Sequence, residues 1–375
     1  MFIFRSAVLC FLAFLISCGR GASIDAPQDE LFITLPATDS LLIVDPLNQS
    51  EISRVKIGKL PHNMRLSPDG SKVYIALVGS QAVAEVDSSS GELLQTFLTD
   101  SVPMKRADDS PIEPHVLQQA DLHTSCFDCH NGKENGAKPV IVGTRPFGLT
   151  VTEDNLLIVA NTLSANINFI NLLNGEIIRS IDIAPSGDAH EPTELAILEN
   201  RLYVTVRPTL PSTAVSELRA YDIESGVLLS QTDVGSAVTA LEIDAENNLI
   251  YTTNFESNTL DKFGLNTELI ESFTVGDGPF GLNLEDDNLL VANYYNNSIS
   301  KISLLNKEVQ TQLLKTEDQQ FPNPTHMVRS WDQEKIYLIS GGTTGYLLTL
   351  DAEKLAIVSN MEIDSLPFDV INIKK

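Results

Sequence analysis

The chain is 375 residues long, 43% hydrophobic, and carries 25 basic against 50 acidic side chains, a formal charge of −25. So acidic a surface repels nucleic acid and anionic lipid and favours basic partners. Of the four cysteines, Cys10 and Cys18 lie near the N-terminus, which leaves one closely spaced pair and no disulfide-stapled scaffold, and a chain of this length buries a sizeable core without one.

Residues 1–17 hold one positive charge, Arg5, followed by a short apolar run. That run is too short for a comfortable membrane span and reads as an export signal. Its end, Leu15-Ile16-Ser17-Cys18-Gly19, resembles the lipobox of bacterial lipoproteins. The resemblance implies cleavage before Cys18, a diacylglycerol on its sulfur and an acylated amino group, enough acyl chains to anchor stably. With Gly19 next, it also resembles the outer-membrane sorting pattern of Gram-negative bacteria. The alternative is an ordinary secretory signal with a chance cysteine. Residues 18–29 form a tether, and the folded part retains two thiols, Cys126 and Cys129. No later apolar run approaches a transmembrane length.

From residue 30 to 375 one pattern repeats: a Pro-x-x-aliphatic start, a polar turn, then strands with aromatic or β-branched residues. The starts are Pro61, Pro146, Pro192, Val238, Pro279, Pro324 and Pro367. Six of the seven lie 41 to 46 residues from a neighbouring start, and one gap is 85. A period in the low forties with four short strands predicts a propeller blade. The seventh start leaves room for one strand, whereas residues 31–58 supply three strands without a first. The prediction is an all-β, seven-bladed β-propeller closed by pairing the N- and C-terminal strands, which removes an open edge.

The second strands, notably YVTV from Tyr203, YTTN from Tyr251 and the VAN endings at Asn161 and Asn293, resemble the YVTN family of β-propeller repeats. Leu35, Leu77 and Ser340 replace the asparagine in other blades. The resemblance spans the mature chain except residues 100–144. It implies a fold shared by dehydrogenase subunits, heme-enzyme domains and binding scaffolds, so it does not choose an activity.

The long gap inserts residues 100–144 between blades 1 and 2, expected to be mostly helical or irregular. This polar segment contains Cys126-Phe127-Asp128-Cys129-His130. C-x-x-C-H is the attachment pattern of c-type heme. Residues three apart share one face of a helical turn, so both thiols reach one porphyrin edge. His130 can then turn its imidazole to the iron as proximal ligand. The other readings are a redox disulfide, which lacks its usual thioredoxin-like setting, and a zinc site with His123, which export and tight spacing disfavour.

A loop this short cannot bury a porphyrin alone. It joins an outer strand to the next inner strand, so it rises from the face where inner strands begin and can fold over the channel mouth. All six histidines belong to that face: His115, His123 and His130 in the insertion, and His62, His190 and His326 at inner-strand starts. The distal iron ligand is left among His115, Met104, His326 and His62, in that order. Met64 and Met327 fill an aliphatic slot and read as core. The neighbouring slot reads Asn63, Gly148, Glu194, Ala240, Gly281, His326 and Asp369, either a small ligand or metal site or a water-filled lining.

The favoured function is an exported, membrane-tethered monoheme cytochrome c acting in electron transfer with a basic redox partner, and with no nucleic acid. The alternatives are a heme-dependent, peroxidase-like oxidoreductase using His326, Glu194 or His62 as acid–base groups, or a binding or sensing scaffold.

Overall fold

The computed structural model describes residues 28–99, 145–184, 190–208 and 215–375. These form seven four-stranded antiparallel sheets. The inner strands are Pro61–Leu66, Pro146–Val151, His190–Leu198, Val238–Asp244, Pro279–Glu285, Pro324–Arg329 and Val370–Lys374, of blades 1 to 7. Each touches the inner strand of the blade on either side, and the seventh touches the first, so the ring is closed. Closure occurs as expected: Val370–Lys374 pairs antiparallel with Asp29–Leu35, Asp29 opposite Lys374.

Burial explains the strand sequences. A second strand such as Lys72–Leu77 lies between neighbouring blades and is buried on both faces, hence its unbroken apolar run. Outer strands such as Leu93–Leu98 are mostly exposed and mixed. The core is divided into layers between blades. Met64 packs with Phe32, Ile43 and Ile75 across blades 7 and 1, and Met327 with Leu290, Ile299 and Phe321 across blades 5 and 6. Both methionines are therefore core residues, as the repeat implied.

The asparagine ending several second strands has a local role. Asn254 Nδ2 donates to Asp261 at 2.7 Å and Thr259 at 2.9 Å, and Asn293 Nδ2 to Ser298 and Ser300, both at 2.9 Å. These bonds tie the second strand to the third.

The inner strands carry the feature that positions the channel mouth. In each of blades 1 to 6 the register against the second strand slips just after the first residue of the repeat, as between Pro61 and Met64 or Pro324 and Met327. A bulge re-aims the residues it contains. Here those residues include His62, Asn63, Thr325 and His326. Neighbouring inner strands approach so closely that a Cβ at Gly148 would collide with the Thr193 carbonyl oxygen, and one at Gly281 with that of Thr325. Only glycine fits these two positions.

Among the described residues no helix is long and apolar enough to cross a membrane. The insertion at 100–144 and the first 27 residues lie outside the described residues, with Cys18, Met104, His115, His123, Cys126, Cys129 and His130.

Candidate functional site

Seen from the inner-strand starts, the channel mouth is closed by aromatic rings. Phe368, at the turn into the seventh inner strand, is the hub. Its ring centroid lies 4.2 Å from His62, 5.3 Å from His326, 5.8 Å from Phe147 and 6.1 Å from Phe280. Phe255 and Tyr294 extend the cluster beside Phe280. Tilted and edge-on contacts at these spacings are favourable ring geometries. The result is a buried apolar floor on the face where the described chain breaks off after Thr99 and resumes at Arg145.

Both rim histidines are held by a main-chain carbonyl. His62 Nδ1 lies 2.9 Å from the Leu60 oxygen and His326 Nδ1 lies 2.6 Å from the Phe368 oxygen. A carbonyl only accepts, so Nδ1 is the protonated nitrogen, and Nε2 carries the lone pair in the neutral ring. Burial lowers the His62 pKa to about 4, with the nearby charges of Arg145 and His326 adding to the effect against the Leu60 bond. His62 is accordingly neutral at pH 7. Arg145, the first described residue after the insertion, lies within electrostatic reach of His62.

Below the floor lies a channel cavity of about 370 Å³ whose wall includes Asn63, Glu194, Ala240, His326 and Asp369. The polar slot read from the repeat therefore does converge. Glu194 accepts from Asn63 Nδ2 at 2.8 Å and sits 3.5 Å from the Arg65 guanidinium. Burial nevertheless raises its pKa to about 7, opposed by Arg65 and Asn63 and helped by the charge of Asp369. Asp369 is structural. Its carboxylate accepts the Met64 N–H at 2.7 Å and the Val370 N–H at 2.8 Å, stitching blade 7 to blade 1.

A second ring of wall residues, two positions further along each strand, was not singled out by the repeat. It brings Arg65, Thr150, Glu242 and Asn283 into the same cavity. Glu242 lines the channel half-buried, and this burial raises its pKa to about 7 against the attraction of Arg65. The signal was there in the sequence, since side chains two apart on a strand share a face. The aromatic floor was also legible in principle, as Pro-Phe recurs at 146, 279 and 367. His190 does not join the rim; its Nε2 lies 3.7 Å from Glu217 within its own blade.

Phe147, Phe280 and Phe368 form a buried apolar cluster at the mouth, and the Phe368 carbonyl fixes the tautomer of His326. No group of three or more His, Cys, Asp or Glu side chains able to hold a metal ion occurs among the described residues.

No family model and no curated protein matches the chain. Solved structures do. A dihydro-heme d1 dehydrogenase, NirN, in complex with DHE is similar over 92% of this chain and 75% of its own, at 12% identity and a TM-score of 0.57. The structure of U3-55K is similar over 83% of each chain, also at 12% identity, with a TM-score of 0.56. At such identity the likeness establishes one thing, the β-propeller fold.

Proposed function

We propose that the chain is an exported, membrane-tethered monoheme c-type cytochrome, anchored through Cys18 in the outer membrane and acting in electron transfer. One observation carries the reading: the segment holding Cys126-Phe127-Asp128-Cys129-His130 leaves and rejoins the propeller on the face floored by Phe147, Phe280, Phe368, His62 and His326. That one of the similar propellers is a dihydro-heme d1 dehydrogenase agrees with a heme on this fold.

In this reading Cys126 and Cys129 would hold the porphyrin by thioethers and His130 would bind its iron. When bound, the heme supplies an iron that gains and loses one electron. The chain's own residues set the conditions for that exchange. The phenylalanine floor keeps water from one side, which bears on potential and on reorganisation. His115, Met104, His326 and His62 are the side chains that could supply the iron with a second ligand. Of the two on the rim, His326 is the less buried. An acidic protein of charge −25 steers a basic redox partner toward itself.

A second reading, an oxidoreductase with its own small substrate, draws on the cavity beneath the floor. There Glu194, with a pKa of about 7, shares a wall with His326, so a proton acceptor and donor is present at neutral pH. Optical and electron paramagnetic resonance spectra of the oxidised protein separate the two. A six-coordinate, low-spin iron indifferent to cyanide or peroxide supports electron transfer; a high-spin, ligand-accessible iron supports the enzyme.

A further inference from the structure

The face opposite the aromatic floor has its own pattern. There the hairpins between third and fourth strands project, together with those between first and second strands. The three most exposed large apolar side chains among the described residues are Leu173, Leu305 and Leu47, 80%, 77% and 71% exposed. All three sit at one position of the third-to-fourth-strand hairpin, in blades 2, 5 and 7, spaced around the ring as a tripod.

The turn does not need leucine. Its geometry comes from the residue two before: Asp45 Oδ1 accepts the N–H of Leu47 at 2.9 Å, and Asn171 Oδ1 that of Leu173 at 2.8 Å. At the same position blades 1, 3 and 6 place Ser89, Glu224 and Glu353. The leucines therefore point at solvent without a folding reason.

The only tryptophan of the chain lies on this face as well. Trp331 caps the hairpin of blade 6 and is 40% exposed, with the Lys374 ammonium 5.5 Å from its ring centre. Its backbone N–H donates to Asp29 Oδ1 at 2.9 Å, so it stands where the propeller chain begins. Between Cys18 and Asp29 run ten residues, a reach of about 35 Å when extended.

We propose that this face is the membrane-docking face: Leu47, Leu173, Leu305 and Trp331 seat in the headgroup boundary of a bilayer while the aromatic floor points away from it. The inference rests on the reading of Cys18 as a lipid anchor. A short tether raises the local concentration of the face at the bilayer to the point where a few apolar side chains suffice. Tryptophan and leucine with a neighbouring lysine are the residues that favour this boundary. The acidic tips Asp69, Glu153, Asp154, Asp286 and Asp287 on the same face select neutral headgroups over anionic ones.

The test uses the full lipidated chain in phosphatidylcholine vesicles, with bromine-labelled acyl chains as quencher of Trp331 fluorescence. Flotation with the vesicles together with bromine quenching is expected, and L47S/L173S/L305S should still float while losing most of the quenching. Flotation of the wild type without quenching overturns the docking face and leaves the anchor intact. Failure to float overturns the anchor, and the inference with it. Concentration-dependent self-association that the triple variant abolishes, without quenching, assigns the leucines to a second copy and likewise overturns the proposal.

Discussion

His326 Nδ1 donates to the Phe368 carbonyl oxygen at 2.6 Å, joining the sixth inner strand to the closing blade at the channel mouth. The same phenylalanine packs its ring on His62 and His326, so one residue sets the posture of both rim imidazoles.

His326→Ala removes that bond and one wall of the proposed heme site. The expected cost is about 1 kcal/mol in chemical denaturation. The oxidised Soret band and the reduction potential should both move. His190→Ala, away from the rim, should move neither. Equal spectra for wild type and the His326 variant would detach this imidazole from the heme.

Phe368→Ala empties the centre of the aromatic floor. Removal of a buried phenylalanine costs about 3–5 kcal/mol, and Phe368→Leu should recover much of it. Equilibrium urea unfolding at fixed pH measures both. A loss below about 1 kcal/mol would mean the floor collapses freely or never formed.

Asp369 takes two main-chain N–H groups as a carboxylate, one of them from the neighbouring blade. Asp369→Ala should cost about 3 kcal/mol, since hydrogen bonds to a charged group contribute about 1.5–3 kcal/mol each. Hydrogen exchange should report the loss first along Val370–Lys374 and Asp29–Leu35, the pair that closes the ring.

Glu242 and Glu194 make stability depend on pH in a defined direction. Both pKa values rise from 4.5 to about 7 in the folded protein, so the folded state holds more protons than the unfolded state between those values. Their contribution is fully present below pH 4.5 and is lost as pH rises through 7. His62 runs the other way, its pKa falling from 6.5 to about 4, so its contribution is present above pH 6.5 and lost as pH falls through 4. Glu242→Gln should therefore flatten the decline between pH 5 and 8 by on the order of 2 kcal/mol, leaving the His62 limb in place. Urea titrations across that range give the answer. An unchanged pH profile would show that Glu242 is solvated.

Much of this architecture could be read from the repeat, because each blade states the same pattern and errors in one are corrected by six others. Pro61, Pro146, Pro279 and Pro324 mark the first residue of an inner strand, and the missing strands at one end match the surplus at the other. The convergence of Asn63, Glu194, His326 and Asp369 followed from the same bookkeeping. What the repeat did not disclose is depth within the channel. Glu242 and Arg65 reach the cavity because they lie two residues further along the same strand face, a relation that needs the bulge to be placed first. The recurring Pro-Phe at 146, 279 and 367 marked the floor's residues, but not their meeting, since Phe147, Phe280 and Phe368 come together on one hub only once the ring is closed. The leucine tripod was equally hidden, because a lone exposed leucine in a turn carries no pattern until the hairpins share a face.

The central claim is that one heme is bonded to this chain through Cys126 and Cys129. Its most direct test is a pyridine hemochrome assay joined to the intact mass of protein made in cells competent for cytochrome maturation. One heme per chain, retained under denaturing conditions and lost in Cys126→Ser/Cys129→Ser, is the predicted result. A colourless protein whose two thiols are free or joined to each other would contradict it.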